Sequence, residues 1–216
     1  MEQKNVNGTD YPKIRIKVCG MKYTANREAV EHLPVDYLGF IFSPGSKRFV
    51  GKSPELQLFS TEAKKVAVFV DENISALLEM VKNYGFDTVQ LHGNESPGTC
   101  LILKQEGLKV IKAFHVDERL DFSALNAYDD VTDYFLFDTK TDLPGGSGKK
   151  FTWNVLQEYS GEKPFFLSGG IQPEDTENVK QFCHPRCFGI DLNSGFEDQP
   201  GLKNLEKLRQ FITRIK

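Results

Sequence analysis

Two side chains suited to proton transfer stand at the ends of apolar segments. Cys19 follows residues 14–18, and Asp138 follows residues 134–137. A cysteine thiolate is a base, although the ordinary thiol pKa of about 8.5 must fall for it to form near neutrality. A carboxyl group removed from water keeps its proton more readily and can act as an acid. The plainer alternatives are a small core residue for Cys19 and a loop cap for Asp138, but together they supply the base and the acid of an isomerisation.

Four further polar residues follow other apolar segments: Arg48, His92, Lys112 and Asp191. Arg48 can hold a carboxylate through its forked guanidinium group, and a solvated surface charge is an equally good interpretation. His92 can carry a proton, but we favour a hydrogen-bonded structural histidine. Lys112 points into or out of the fold depending on strand register, so a Schiff-base lysine remains open.

Three glycine-containing clusters lie late in the chain, at residues 145–148 (GGSG), 168–170 (SGG) and 193–195 (NSG). Glycine lets backbone N–H groups approach an anion closely. One such cluster alone is more typical of a tight turn. Together they predict a phosphate site of the kind that forms after the last strands of a barrel. Leu143 stands where a Walker A loop begins with glycine, which excludes that motif.

Alternating strands and helices must position these residues. Eight short apolar segments are predicted as strands: 14–19, 36–42, 64–70, 86–91, 108–114, 133–138, 164–168 and 187–191. An apolar stripe over residues 74–81 predicts one helix, and Ser53-Pro54 predicts the start of another. Further helices are predicted after Thr152, from Pro173 to Phe182, and along Leu202, Leu205, Leu208 and Ile212.

Strictly alternating βα units predict an α/β fold with a parallel sheet. Eight units within 216 residues favour a single (β/α)8 TIM barrel, with an open doubly wound sheet as the alternative. Polar and glycine residues follow almost every predicted strand, which is expected where all strand ends share one mouth. We therefore predict a disordered or frayed tail over residues 1–12 and one catalytic barrel domain over residues 13–216.

The composition of the chain indicates which partners and which cellular location to expect. The formal net charge is −3 and no basic block stands out, so we expect no nucleic-acid partner. No apolar run approaches the roughly 18 residues of a membrane span, and no signal peptide is evident, so no membrane partner is expected. The cysteines contain no CxxC pair and are predicted to be free thiols in a cytoplasmic protein. Cys183, His184 and Cys187 are interpreted as a helix end and the next strand rather than a metal site.

Motifs along nearly the whole chain, from about Ile14 to Leu208, resemble those of the phosphoribosylanthranilate isomerase family of tryptophan biosynthesis. In order they are residues 17–20 (KVCG), 39–42 (GFIF), 46–49 (SKRF), 66–70 (VAVFV), 89–93 (VQLHG), 137–139 (FDT), 145–149 (GGSGK), 168–170 (SGG) and 191–195 (DLNSG). Asn193 and Phe196 depart from the family's usual serine and valine beside the predicted phosphate site.

The resemblance implies an aldose–ketose isomerase that converts N-(5-phosphoribosyl)anthranilate into 1-(2-carboxyphenylamino)-1-deoxyribulose 5-phosphate by an Amadori rearrangement. It implies that Asp138 is the general acid and Cys19 the general base, with no cofactor and no metal. The substrate-binding residues that it implies are Arg48, His92, Gly146, Gly148, Gly169, Gly170, Asp191, Ser194 and Gly195. The expected partner is therefore a small phosphorylated molecule, bound by a monomer or a weak homodimer.

Two other functions fit a phosphate-binding barrel. A synthase or lyase such as indole-glycerol-phosphate synthase would place a catalytic lysine and glutamate at the strand ends, for which Lys112 alone is thin support. A barrel that only binds a phosphate compound would not need both Cys19 and Asp138. The joint presence of these two residues favours the isomerase.

Overall fold

The computed structural model describes residues 14–51, 61–117, 120–139 and 153–216. Eight parallel strands close into one barrel in chain order. They are β1 (Arg15–Val18), β2 (Tyr37–Ile41), β3 (Lys64–Phe69), β4 (Thr88–Leu91), β5 (Lys109–His115), β6 (Tyr134–Asp138), β7 (Phe165–Ser168) and β8 (Cys187–Leu192). Each overlaps a predicted strand, and β8 pairs with β1 to complete the circle. The TIM barrel is confirmed, and the open sheet is wrong.

Successive residues of each strand face opposite sides of the barrel wall, which divides the apolar core in two. In β1, Ile16 and Val18 belong to the large outer core beneath the helices. Cys19 belongs to the smaller inner core, which also contains Tyr37, Val66, Val68, Ile111, Ala113, Leu136 and Phe166. Both faces of most strands are therefore covered, which explains why apolar residues stand at successive positions of these strands in the sequence.

Aromatic rings fill the amino-terminal end of the barrel. Tyr37 packs edge-on against Phe166 with ring centroids 5.3 Å apart, and Tyr134 lies 4.6 Å from Phe188. Edge-to-face and tilted pairs of this kind add to the burial of apolar area. This packing fills the amino-terminal end, whereas the carboxyl ends of the strands remain available for a ligand site.

Helices cover the outside of the barrel. Within the described ranges the α-helices are α1 (Thr24–Glu31), α2 (Ile74–Tyr84), α3 (Pro97–Gln105), α4 (Thr176–Gln181) and α5 (Leu205–Ile215). The predicted stripe lies in α2, which begins after Asn73, whose side chain accepts from Ser75 N, and ends at Gly85 in the left-handed conformation. Among the residues described, no helix is long and apolar enough to cross a membrane.

Some helix predictions need correction. Leu202 is not in the last helix: it pairs with Gln199 in a hairpin of β9 (Glu197–Gln199) and β10 (Leu202–Lys203), and α5 starts only after Asn204 caps it. Residues 122–128, 153–158 and 173–175 form 3-10 helices, so the predicted helix from Pro173 becomes α-helical only at Thr176. Ser53-Pro54 and Thr152 lie outside the described residues.

The register of β5 decides the orientation of Lys112. Ile111 and Ala113 face the inner core, so the residue between them points outward. There Lys112 Nζ lies 3.2 Å from Glu95 Oε2 and donates to Gly93 O at 2.8 Å. A buried lysine held by a carboxylate behind the barrel wall cannot form a Schiff base in the mouth, which removes the support for a synthase.

Candidate active site

A cavity of about 350 Å³ opens at the carboxyl end of the barrel. The predicted residues that line it are Cys19, Arg48, His92, Asp138, Gly169, Gly170, Asp191 and Ser194. They come from separate strands and loops that converge only because the sheet closes on itself. Gly195 lies beside Ser194, whereas Gly146 and Gly148 lie outside the described residues.

Cys19 lies just past β1 and is almost fully buried, with 3% of its surface exposed. Gly39 on β2 provides the space for it, since a Cβ there would lie only 2.7 Å from Cys19 Sγ. Burial raises the pKa of the thiol, and the positive charges of Lys17 and Lys203 oppose that rise without overcoming it. The cavity therefore holds a shielded sulfur with cationic support for its ionised form.

A buried ion pair lies deeper in the barrel than Cys19. Lys17 Nζ donates to Asp191 Oδ1 at 3.0 Å, and both side chains are almost completely buried. Burial alone would lower the pKa of Lys17, but the charges of Asp191 and Cys19 outweigh it and the pKa is raised. Lys17 therefore stays protonated below the thiol, while burial raises the pKa of Asp191.

Asp138 ends β6 on the opposite side of the cavity. Its Oδ2 lies 3.2 Å from His92 Nε2, and His92 Nδ1 lies 2.8 Å from Gln90 Nε2. An amide N–H donates to Nδ1, so His92 in its neutral form carries its proton on Nε2 and donates it to Asp138 Oδ2. Thr139 then donates through Oγ1 to Ser168 O at 2.9 Å, which fastens the end of β6 to β7.

Arg48 reaches the mouth from the loop after β2, and Glu197 of the β9–β10 hairpin holds it there. Arg48 Nε donates to Glu197 Oε1 at 2.9 Å and Nη2 donates to Oε2 at 2.6 Å. Lys203 Nζ donates to Glu197 Oε1 at 2.7 Å and to Asn193 Oδ1 at 2.9 Å. Burial would raise the pKa of Glu197, but the hydrogen bonds from Arg48 and Lys203 outweigh it, and the pKa is lowered.

Glycine is required sterically in the loops after β7 and β8. Gly169 and Gly170 have φ of +94° and +63°, and a Cβ at Gly169 would collide with the backbone of Thr139. A Cβ at Gly195 would collide with Ile171 O. These loops therefore bring bare backbone to the cavity wall, where N–H groups can face an anion. Phe196, the larger residue beside them, is completely buried and packs edge-on against Phe211, away from the cavity.

The cysteine and histidine cluster near β8 has the structural role that the sequence favoured. Cys183 follows α4 and is exposed, and Cys187 starts β8. His184 is buried, with Nε2 at 3.0 Å from Tyr159 O and Nδ1 accepting from Arg186 N at 3.1 Å. Both ring nitrogens of His184 are used, so it has none left for a metal.

Sequence reasoning missed Lys17, Gln90, Glu197 and Lys203 as parts of this site. Lys17 and Gln90 stand two residues before Cys19 and His92, and the period of two in a strand puts each pair on the same side. That signal was present in the sequence. No sequence signal indicated Glu197 or Lys203, because only the folded hairpin brings their partners Arg48 and Asn193 to them.

Comparison with known proteins gives this geometry a family context. A family model described as N-(5'phosphoribosyl)anthranilate (PRA) isomerase matches residues 16–214. The N-(5'-phosphoribosyl)anthranilate isomerase of Parabacteroides distasonis is 49% identical over 204 residues, which cover 93% of this chain and 92% of that protein.

Solved structures agree with the sequence match. The phosphoribosyl anthranilate isomerase of Thermotoga maritima superposes with a TM-score of 0.81 at 32% identity, over 94% of this chain and 98% of that one. A phosphoribosyl anthranilate isomerase in complex with reduced 1-(o-carboxyphenylamino)-1-deoxyribulose 5-phosphate superposes with a TM-score of 0.79 at 28% identity, with the same coverage. Both similarities extend over the whole barrel.

Proposed function

The chain belongs to the N-(5'-phosphoribosyl)anthranilate isomerase family of tryptophan biosynthesis, and on this premise we propose that Cys19 and Asp138 carry out its Amadori rearrangement. The observation that supports these roles is their convergence. A shielded thiol and a hydrogen-bonded carboxyl group, 119 positions apart in sequence (138 − 19), line one cavity. A base and an acid on opposite walls can act on different atoms of one bound molecule.

In the first step Asp138 acts as the acid. Its proton passes to the furanose ring oxygen, the bond from that oxygen to C1 breaks, and the nitrogen lone pair forms a C1=N Schiff base. His92 Nε2–H, 3.2 Å from Asp138 Oδ2, then stabilises the carboxylate that remains. His92 is a positioning residue here, because Gln90 fixes which of its nitrogens carries the proton.

In the second step the Cys19 thiolate removes the proton from C2. The C2–H electrons form a C1=C2 bond, the C=N electrons return to nitrogen, and the resulting enolamine tautomerises to the ketose. The cationic Schiff base next to C2 makes this proton acidic, and Lys17 stabilises the negative thiolate from below. The burial that opposes ionisation of the free thiol also excludes water from the reacting carbon.

The two anionic ends of the substrate bind on different sides of the mouth in this proposal. Arg48 holds the anthranilate carboxylate, since the Glu197 carboxylate fixes the guanidinium plane from the other side. Backbone N–H groups of Gly169, Gly170, Ser194 and Gly195 hold the phosphate, and the family resemblance adds Gly146 and Gly148 to this set. His92 and Asp191 complete the wall around the sugar. The product-analogue complex of the structural relative supports a phosphorylated ligand of this size.

We also propose that the chain has one catalytic domain over residues 13–216 after a tail over residues 1–12. We propose that it is cytoplasmic and works without a cofactor, as a monomer or a weak homodimer. Each follows from sequence composition or from the family resemblance, and each is open to direct measurement on the purified protein.

The deciding experiment follows freshly generated N-(5'-phosphoribosyl)anthranilate by the loss of its fluorescence when purified protein is added. Rapid loss with formation of the ribulose product is expected. The Asp138→Asn variant should lower kcat by about 100- to 10,000-fold, because an amide has no acidic proton to give. Its affinity for the reduced product should stay close to that of the wild type. A folded Asp138→Asn variant with near-normal kcat would show that another group is the acid.

A further inference from the structure

One cluster at the mouth has a chemical capacity that the isomerisation does not use. His92, His115 and Asp138 each offer one ligand atom, and these atoms all lie within 4.8 Å of one another. His115 Nδ1 is 3.7 Å from Asp138 Oδ2, and His92 Nε2 is 3.2 Å from the same oxygen. His115 ends β5 at the rim and has 58% of its side chain exposed.

The spacing suits a small transition-metal ion. Ligand atoms bonded to tetrahedral Zn²⁺ at about 2.0–2.1 Å lie roughly 3.3–3.5 Å apart. Two of the measured separations are already near this range, and the third can close by rotation of the exposed His115 ring. The ring centroids of His92 and His115 lie 5.8 Å apart with an interplanar angle of 55°, so the two rings are tilted and not stacked on each other.

Gln90 offers the outer hydrogen bond that such a site needs. A neutral histidine that binds a metal through Nε2 carries its proton on Nδ1 and must donate it to an acceptor. Gln90 is 1% exposed, and its Oε1 is a buried atom without a hydrogen-bond partner among the described residues. Turning the amide over would direct Oε1 at His92 Nδ1, 2.8 Å from the present position of Nε2. Metal binding would therefore satisfy an oxygen that is otherwise unpaired.

We propose that His92, His115 and Asp138 form a three-ligand site for a divalent transition-metal ion such as Zn²⁺, and that the ion inhibits the enzyme. Two imidazoles and one carboxylate favour Zn²⁺ over Mg²⁺ or Ca²⁺, which prefer oxygen ligands. Three protein ligands leave a fourth coordination position, which water or a substrate oxygen can occupy. The inhibition rests on the proposed role of Asp138, because its metal-bound oxygen can no longer deliver a proton. Binding of the ion does not rest on that role.

Binding is tested first, without reference to activity. Protein stripped with a chelator is titrated with ZnCl₂ by calorimetry, and the Co²⁺ complex is followed by its visible absorption. We expect one ion to bind per chain, and we expect His115→Ala to raise the dissociation constant by at least about tenfold. Matched controls are His32→Ala, an exposed histidine elsewhere, and Cys183→Ser, an exposed thiol. Both should bind like the wild type, and so should Cys19→Ser, which tests whether the active-site thiol is the true ligand.

Inhibition is tested second. Zn²⁺ should slow the wild-type enzyme, a chelator should restore the rate, and His115→Ala should keep its basal rate while resisting Zn²⁺. Equal Zn²⁺ affinity in the wild type and His115→Ala, or loss of binding in Cys19→Ser, would overturn the site. Binding that depends on His115 without slowing the reaction would overturn the inhibition and point to a different acid. A wild type with no isomerase activity would refute the proposed function, while the titration would still decide the metal site.

Discussion

At the scale of single residues, burial and the nearby positive charges act on the pKa of the Cys19 thiol in opposite directions. Burial raises the pKa of the thiol, whereas Lys17 and Lys203 lower it. In the proposed mechanism the thiolate is the base, so the charges of Lys17 and Lys203, which favour the ionised form, act against the burial that opposes it. A base that is shielded from water accepts a proton from an acidic C–H bond effectively, because no hydration shell must be removed first.

Replacing Cys19 by serine tests this arrangement. The hydroxyl group is nearly the same size as the thiol, but it is a much weaker acid and does not ionise in the same pH range. We expect kcat to fall by about 100- to 10,000-fold with little change in thermal stability. Steady-state kinetics with the natural substrate measures the effect, and an unchanged kcat would remove Cys19 from the mechanism.

In the proposed mechanism Arg48 acts on substrate binding rather than on the chemical step. Loss of a charge-assisted hydrogen bond to the anthranilate carboxylate should weaken binding of substrate and transition state alike. Arg48→Ala is therefore expected to raise KM by about 10- to 100-fold while kcat changes little. Lys47→Ala, a neighbouring loop cation, is the matched control. If KM for Arg48→Ala stays at the wild-type value, the carboxylate binds elsewhere.

At the scale of elements, the β9–β10 hairpin is a strap that ties the end of β8 to the loop after β2. Its Glu197 holds Arg48 and Lys203 together, and Gly201 N donates to the same carboxylate at 3.0 Å. A buried carboxylate between two cations has a lowered pKa, so its ionised form is bound by the fold more strongly than the protonated form.

This coupling predicts a specific pH dependence of stability. Because the folded-state pKa of Glu197 lies below its ordinary value of 4.5, its contribution is fully present above pH 4.5 and is lost as pH falls through the folded-state pKa. Glu197→Gln should lower the free energy of unfolding at pH 7 by about 3 kcal/mol. The difference between the wild type and the variant should shrink below pH 4.5. Urea unfolding at several pH values measures this, and a pH-independent difference would contradict it.

The sequence predicted these elements unevenly, for physical reasons. The eight strands were predictable because both of their faces are buried, which leaves short apolar runs that need no partner to be recognised. The hairpin was missed because residues 197–199 are polar, and Leu202 was assigned to the helix that follows. The pair of Arg48 and Glu197 lies 149 residues apart in sequence and depends on that hairpin, so no local pattern indicates it.

At the scale of the whole molecule, the barrel separates stability from chemistry. The aromatic packing at one end and the outer core beneath the helices hold the wall, while the loops at the other end carry the polar groups. The sequence predicted that Cys19, His92, Asp138 and Asp191 lie at the mouth, because each stands at the end of a predicted strand and all strands end there. The sequence did not predict which strand residues point inward, since a register shift by one residue reverses the direction of every side chain.

Closure of the barrel also bears on how the chain matures. Lys17 and Asp191 are 174 positions apart, and they meet only when β8 pairs with β1. A chain in which β8 has not paired with β1 leaves Lys17 among apolar side chains without its carboxylate, an arrangement that costs several kcal/mol. The ion pair therefore favours the closed barrel over one that lacks this strand pairing. Closure also brings Lys17 and Asp191 together beside Cys19, so the seam of the barrel and the electrostatic surroundings of the thiol form together.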